Sequence, residues 1–274
     1  MPATVGHIIG LLEDRYPPAL AEDWDAVGLV CGDPNATISR VLFAVDPVRD
    51  VVDEALVLQA DLIVTHHPLL LRGVHSVAPV THKGTVLHTL ITHGIALYCA
   101  HTNADHASPG VSDALADVLG IGDVVPLVPS AHDPRVGTGR VGRLDETLTL
   151  EAFVDRVAER LPVTHHGVRV SGDLERLVET VAVCGGSGDA FLDVAAQVAD
   201  VYVTSDLRHH RAQDHLVDGG CSLIDVAHWA SEWPWLPVAA GALQHDVQVL
   251  GTTVEVHVST IVTDPWTLHR GSPS

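Results

Sequence analysis

The chain has 274 residues, a length that allows two domains or one large α/β unit. Its 15 basic and 35 acidic residues give a formal net charge of −20, and Lys83 is the only lysine. This charge, without any basic run, argues against binding to nucleic acid. Apolar residues make up 46% of the chain, which provides a sizeable core and excludes disorder as the main state.

Cysteine use and the absence of targeting patterns indicate a cytoplasmic protein. The four cysteines lie far apart without a CxxC pair, as expected for reduced thiols. The first 16 residues lack a basic start, and their short apolar stretch meets Glu13 and Asp14, so we expect no signal peptide. No 18 apolar residues run together, so we expect no membrane span.

The first half of the chain alternates between strand and helix patterns. An apolar stripe at Val5, Ile8, Ile9 and Leu12 predicts an opening helix. Buried strands are predicted at 38–45, 61–65 and 95–100, with helices starting near 48, 86 and 111 and a helix end at Gly120. This order predicts parallel βαβ units with helices on both faces, and ligands bind beyond the carboxyl ends of such strands.

The second half also alternates, after a segment rich in proline and glycine at 126–143 that predicts a loop or boundary. Strands are predicted at 178–186, 201–206, 221–228 and 247–260, and helices at 149–161, after Gly188, before Gly219 and near 229–243. We therefore predict an α/β fold of two halves with helix-covered sheets. The first half is 1–125, the second is 126–274, and a metal site is expected between the halves.

The 19 histidines include three adjacent pairs. The position of each pair in the chain indicates whether it can belong to a metal site. His66-His67 ends a buried strand, where Pro68 favours an unwinding backbone that lets both imidazoles face one site. His165-His166 follows Pro162 in a polar stretch and is assigned to the surface. Two imidazoles fanned out at a strand end can each bind one metal of a close pair.

Two further clusters follow strand ends. His101 to Asp105 reads either as a turn in which Asn103 and Asp105 cap the backbone or, beside His66-His67, as a source of a carboxylate ligand. His228 and Glu232 have the i, i+4 spacing of one helix face, and the alternative is an ordinary exposed pair.

Together the clusters offer five ligands, with His101 near them: His66, His67, Asp105, His228 and Glu232. Three imidazoles and two carboxylates suit Zn, Mn, Fe, Co or Ni better than Ca or Mg. Because one catalytic metal usually takes three protein ligands, five ligands predict two metal ions per chain.

Six stretches resemble, in order, the motifs of the dinuclear-metal-centre hexameric proteins, which are commonly called type 2 GTP cyclohydrolase I homologues. These stretches are WDAVGLVCG (24–32), THHPLL (65–70), AHTNAD (100–105), CGGSGDAF (184–191), TSDLRHH (204–210) and IDVAHWASE (224–232). Ala26 and Ser205 depart from the residues usual in the family, Asn and Gly, and neither is a ligand position. The segment 126–148 is too short for the extra domain that longer relatives carry.

The resemblance implies metal ligation by the same five residues, with Glu232 as the bridge between the two ions. His101 and His210 match further pocket-lining positions of the family. The resemblance also implies two interlinked α/β domains in a toroidal homohexamer, with the metal sites facing an internal cavity.

Three other features have alternative interpretations. The turn Cys184 to Gly188 follows a strand and precedes a helix, so it is either a tight turn or an anion cradle, although it lacks the spacing of a P-loop. Trp229, Trp233 and Trp235 suggest packing, a subunit contact or a stacking surface for a base. Lys83 is interpreted as a solvated side chain.

Two functions fit these residues. The first is a metal-dependent hydrolase in which a metal-activated water is the nucleophile and His101 or His210 moves protons. The reaction implied by the family is hydrolytic opening of the GTP imidazole ring, with a nucleotide or another small molecule as substrate. The second is a non-catalytic hexameric scaffold for metal handling or partner binding. A DNA-associated regulator is disfavoured by the charge.

Overall fold

The computed structural model describes residues 2–271, which fold into two compact units. The first unit comprises the residues up to Ala107 together with Leu236–Thr263, and the second comprises Ser108–Trp235 and the residues from Asp264 onward. The chain therefore passes between units three times, whereas the sequence predicts one boundary at 125/126. The chain returns to the first unit because its last strand pairs with a strand of the first unit's sheet.

The first unit contains a five-stranded sheet in the order β1-β4-β3-β2-β11. Strands β2, β3, β4 and β11 run parallel, and the edge strand β1 is antiparallel to β4. The strands are β1 (Gly28–Cys31), β2 (Arg40–Ala44), β3 (Leu62–Thr65), β4 (Ala96–Cys99) and β11 (Glu255–Val258). The helices are α1 (Val5–Arg15), α2 (Arg49–Leu58), α3 (His82–His93), α4 (Thr102–His106) and α10 (Trp235–Val249), which starts at the second unit's last residue before the return.

Local sequence explains these elements. Helix α1 begins after Thr4, whose hydroxyl accepts a hydrogen bond from the His7 amide, and it buries Val5, Ile8 and Leu12 as the stripe predicts. Every residue of β3 and β4 is buried, which is why both strands are continuous apolar runs. The edge strand β1 is only partly buried and was not predicted.

The second unit contains a six-stranded mixed sheet in the order β5-β6-β8-β9-β10-β7. Strands β8, β9 and β10 are parallel, while β5, β6 and β7 join in antiparallel pairs. The strands are β5 (Ile121–Pro129), β6 (Gly137–Thr149), β7 (Val168–Ser171), β8 (Leu177–Ser187), β9 (Val201–Ser205) and β10 (Ser222–Val226). The helices are α5 (Val111–Leu119), α6 (Leu150–Arg160), α7 (Leu192–Val198), α8 (His209–Val217) and α9 (His228–Glu232).

The prediction of a loop at 126–143 is wrong, because most of this segment forms the antiparallel pair β5 and β6. Glycine occurs in this segment because the hairpin needs it, not because the chain forms a loop. Gly137 has φ +146°, and a Cβ there would lie 2.2 Å from the Val128 carbonyl oxygen. The glycine thus allows close approach within a hairpin. Helix α5 ends at Gly120 with φ 76°, as predicted.

Each unit has its own core beneath its sheet. In the first unit β2, β3 and β4 pack against α2 and α3 through residues such as Leu42, Ile63 and Leu90. In the second unit α5 and α6 cover one side of the sheet, with Leu115 and Phe153 fully buried. The protein is thus a mixed α/β fold of two sheets flanked by helices. Among the described helices, none is both long enough and apolar enough to cross a membrane.

Candidate metal centre

Three neighbouring parallel strands of the first sheet end at the same edge. Ala44 of β2 pairs with Thr65 of β3, which pairs with Cys99 of β4. The next residues along each strand therefore emerge side by side. They are Asp46, the pair His66-His67, and His101, so this edge gathers imidazoles and a carboxylate by strand register alone.

The three histidines at this edge form a compact cluster. Their ring centroids are 5.1 Å apart for His66 and His67, 5.2 Å for His66 and His101, and 5.6 Å for His67 and His101. One ring nitrogen from each lies within 4.8 Å of the others, a spacing that suits a shared metal ion. His66 is 1% exposed, and the other two rings are partly buried.

Each imidazole of the cluster uses Nδ1 for a hydrogen bond to an oxygen. Nδ1 lies 3.0 Å from the Ala100 carbonyl oxygen in His66, 2.7 Å from Asp46 Oδ1 in His67 and 2.9 Å from Asp25 Oδ1 in His101. Since a carbonyl or a carboxylate only accepts, Nδ1 carries the proton, and in the neutral ring the lone pair is on Nε2. Such hydrogen bonds are typical of histidines that ligate metals through Nε2.

Asp105 lies beside this cluster on the short helix α4. Its Oδ1 is 3.6 Å from His66 Nε2. The neighbouring Asn103 donates from Nδ2 to the Tyr16 carbonyl oxygen, 2.7 Å away and far along the chain, so its amide group does not serve as a local backbone cap. The arrangement favours the ligand interpretation of Asp105 over the turn interpretation.

His101 is held by a buried carboxylate that the sequence did not single out. The side chain of Asp25 is fully buried and accepts hydrogen bonds from His101, from the Thr102 amide at 3.0 Å and from the Thr102 hydroxyl. Burial opposes ionisation of Asp25, yet the bonds from Thr102 and His101 bring its pKa below the ordinary value. Burial and the neighbouring His66 lower the pKa of His101.

The second unit contributes a histidine and a glutamate on α9. His228 Nε2 lies 2.9 Å from Glu232 Oε1, and His228 Nδ1 lies 2.7 Å from Asp206 Oδ2. Glu232 is 3% exposed. The charge of Glu232 raises the pKa of His228 to about 11 against the effect of burial, and the bond from His228 lowers the pKa of Asp206. Glu232 is buried and His228 is partly exposed, so this pair differs from the fully exposed surface pair that was the alternative.

The glycine-rich turn belongs to the wall of this second cluster. Gly186 has φ +69°, and a Cβ there would lie 2.5 Å from Glu232 Oε1 and 3.1 Å from His228 Nε2. Its amide donates to Ser231 Oγ at 2.8 Å, and its carbonyl accepts from Ser205 Oγ at 2.6 Å. The backbone here is engaged in close packing, which favours the tight-turn interpretation over an anion cradle.

The remaining residues singled out from the sequence lie elsewhere. His210 is exposed at the start of α8, with its ring centroid 5.0 Å from that of His209. His165 is exposed as expected, but His166 is partly buried and its Nε2 lies 3.1 Å from Asp225 Oδ2. Trp229 and Trp235 are buried, which favours packing, and Lys83 is exposed.

Three carboxylates that orient histidines were missed in the sequence. Asp46, Asp25 and Asp206 each bond the Nδ1 of a clustered histidine. Asp46 directly follows a predicted strand, so its place at the sheet edge was a usable signal. Asp25 and Asp206 lie within the motifs WDAVG and TSDLRHH, but no spacing rule links them to a particular histidine.

The fold and these clusters define an α/β protein with a histidine-rich candidate metal centre. The chain belongs to the Duf34/NIF3 (NGG1p interacting factor 3) family, whose model matches residues 3–265.

Relatives in this family are similar over nearly the whole chain. A Streptomyces coelicolor protein named GTP cyclohydrolase 1 type 2 homolog is 52% identical over 271 residues, covering 98% of this chain and 95% of the relative. A Clostridium perfringens protein of the same name is 34% identical, covering 96% and 98%. The solved structure of a Bacillus cereus protein related to NIF3 matches with a TM-score of 0.92 at 26% identity, covering 98% of this chain and all of that one.

Proposed function

We propose that this protein is a metal-dependent hydrolase with a centre of two divalent transition-metal ions per chain. The residues that would hold the ions are His66, His67, Asp105, His228 and Glu232. The proposal is carried by one observation: His66, His67 and His228 each direct Nδ1 to an oxygen acceptor, which orients Nε2 for ligation.

The donor set fits transition metals. Imidazole nitrogen and carboxylate oxygen suit Zn, Fe, Mn, Co or Ni. The ligand atoms are also grouped before any metal binds, with Asp105 Oδ1 3.6 Å from His66 Nε2 and Glu232 Oε1 2.9 Å from His228 Nε2. When bound, the ions would supply Lewis-acid activation of water and of the electrophilic atom of the substrate.

The remaining side chains have roles that need no ion. We assign proton transfer to His101, whose lowered pKa keeps the ring neutral near pH 7 and able to accept a proton. Asp25 fixes the orientation of that ring through Nδ1. His210, exposed at the start of α8, is the second proposed proton carrier.

The family resemblance supports the proposed substrate and assembly, and the cysteines support the proposed location. The relatives' name, GTP cyclohydrolase 1 type 2 homolog, supports a nucleotide or another small molecule as substrate. We propose a toroidal homohexamer, as the family motifs imply. All four cysteines are free thiols, which supports a cytoplasmic location.

A non-catalytic metal-handling or partner-binding scaffold is the alternative. The net charge of −20 favours it, because such a chain repels a nucleoside triphosphate at long range. The ligand set serves this role equally well, since ligation is not catalysis.

Metal content tests the centre. Protein purified without chelator should contain about two transition-metal ions per chain by elemental analysis, as expected for a two-metal site. The double variant His66→Ala/His67→Ala should lose this metal. The matched control His88→Ala/His93→Ala removes two exposed imidazoles from α3 in the same unit and should keep it. Fewer than one ion per chain after supplementation, or equal loss in both variants, would contradict the centre.

Turnover separates the enzyme from the scaffold. Metal-loaded protein should hydrolyse at least one member of a panel of nucleotides and phosphoesters, and Glu232→Ala should lose that activity while keeping the oligomeric state. Retained metal without turnover across the panel would favour the scaffold.

A further inference from the structure

A cavity of about 440 Å³ lies in the first unit, between the end of the segment that follows His66-His67 and the start of α3. All of its lining residues fall between positions 70 and 87. None of them is a proposed metal ligand. The lining residues are Leu70, Val74, His75, Ser76, Val77, Thr81, His82, Lys83, Gly84 and Leu87.

The cavity combines apolar walls with basic groups. Leu70, Val74, Val77 and Leu87 provide the walls, and Val74 and Val77 remain 47% and 45% exposed. Small-molecule sites are concave and are lined mainly by apolar side chains with a few polar groups. His75, His82 and the single lysine of the chain, Lys83, add nitrogen donors to the same space.

The stretch of chain that lines this cavity contains basic residues and no acidic ones. The sequence has 35 acidic residues, yet none lies between Leu62 and Ala104, the stretch that contains the entire cavity lining. The same stretch contains Arg72 and Lys83. Within residues 2–271, Lys83 forms no salt bridge, so its charge is not neutralised by a neighbouring carboxylate. Lys83 therefore offers its charge to an anionic group at this cavity, although the chain as a whole carries a net charge of −20.

The backbone at the cavity is held in a tight arrangement. The Val80 amide donates to the Ala78 carbonyl oxygen at 2.7 Å, and the Gly84 amide donates to Thr81 Oγ1 at 3.1 Å. A Cβ at position 84 would lie 2.0 Å from the Ala78 carbonyl oxygen, so only glycine allows this approach. These contacts connect the loop to the first turn of α3, and a site formed in advance binds with less ordering cost.

We propose that this cavity binds a small molecule with an apolar body and one anionic group, such as a carboxylate, sulfonate or phosphate monoester. The apolar body occupies the space between the leucine and valine side chains, and Lys83 pairs with the anionic group. This site is independent of the proposed metal centre, because its binding requires neither a metal ion nor turnover.

The test uses the full chain and the fluorescent anion 8-anilinonaphthalene-1-sulfonate. We expect saturable binding of one molecule per chain. Lys83→Gln should weaken binding about fivefold, as expected for removal of one exposed charge pair, and Lys83→Arg should restore it. Val77→Phe should reduce binding by filling the cavity. The control Arg270→Gln removes an exposed cation from the other unit and should bind as the unmodified protein does.

Two further measurements keep the proposal falsifiable. The uncharged analogue N-phenyl-1-naphthylamine should bind with no dependence on Lys83. Because Lys83 is the only lysine, its acetylation appears as one mass increment besides the N-terminus, and the sulfonate should slow this acetylation. The proposal is wrong if the sulfonate does not bind, if Lys83→Gln and Val77→Phe leave its affinity unchanged, or if it fails to protect Lys83. Metal content, measured in the same samples, tests the hydrolase proposal separately.

Discussion

The two units hold their candidate ligands by opposite electrostatic arrangements. In the first unit three imidazoles lie together, and each bonds through Nδ1 to a carbonyl or carboxylate oxygen. In the second unit one imidazole lies between two carboxylates, Glu232 at 2.9 Å and Asp206 at 2.7 Å. Burial and His66 lower the pKa of His101, whereas Glu232 raises the pKa of His228 to about 11.

This difference decides which protons a metal must displace. A histidine ligand has to be neutral, so His228 must release its proton on metal binding near pH 7, while a neutral imidazole of the first cluster need not. The first cluster is therefore prepared for ligation by hydrogen bonding, and the second is stabilised without metal by an ion pair. The following predictions test this contrast.

The largest effect is expected for Glu232→Gln in metal-free protein. Removing the neighbouring charge should lower the pKa of His228 from about 11 toward the ordinary imidazole value of 6.5, while the bond to Asp206 keeps it above that value. The raised pKa stabilises the fold fully below pH 6.5, and this contribution is lost as pH rises through about 11. NMR titration of the His228 ring measures the change, and an unaltered titration would refute the ion-pair arrangement.

Gly186→Ala tests the wall of the second cluster. The left-handed φ of +69° and the 2.5 Å approach to Glu232 Oε1 should together cost about 2–4 kcal/mol of unfolding free energy. Gly219→Ala in the same unit is the control, because Gly219 has φ +81° but no atom within 4 Å of a Cβ. Denaturant unfolding should give only about 1–2 kcal/mol for the control, and equal losses would mean that the contact is unimportant.

The orienting carboxylates should matter in both units. Asp46→Ala and Asp206→Ala should each weaken metal affinity about 10- to 100-fold, because His67 and His228 lose the bond that fixes the ring. Competition with a chromogenic chelator measures the affinity. The control Asp53→Ala removes an exposed carboxylate paired with Arg49 on α2. A loss confined to one unit would show that only that unit needs an orienting group.

The smallest effect is expected for His101→Gln, on how the free energy of unfolding depends on pH in the acid range. Its lowered pKa means that the unfolded chain binds the proton more readily, so the stabilisation is present above pH 6.5 and is lost as pH falls below that value. His101→Gln in metal-free protein should therefore show a weaker decline in unfolding free energy between pH 6.5 and 5 than the unmodified protein. An identical decline in both would contradict the burial effect.

Periodicity and strand-end position predicted much of the first unit. The strands predicted at 38–45, 61–65 and 95–100 occur as β2, β3 and β4. They could be predicted because parallel strands buried on both faces have continuous apolar sequences. The His66-His67 pair and His101 lie together for the same reason, since parallel strands in register end at one edge.

Amino-acid composition gave a wrong prediction of secondary structure where close packing of the backbone requires glycine. Residues 126–143 look like a loop, yet they form most of a hairpin whose glycines lie against neighbouring backbone. The strand β7 was missed as well, because its residues are only partly buried and its place next to β10 depends on a distant partner.

The sequence by itself determined the α/β class, the main buried strands and the residue types that can ligate a metal, because apolar periodicity and side-chain chemistry are local properties. Tertiary structure alone decided that the last strand returns to the first sheet, and that Asp25 rather than another carboxylate bonds His101. It also decided that Gly186 lies against Glu232. These are contacts between residues far apart in the chain, and no local pattern specifies which distant atoms will meet once the chain is packed.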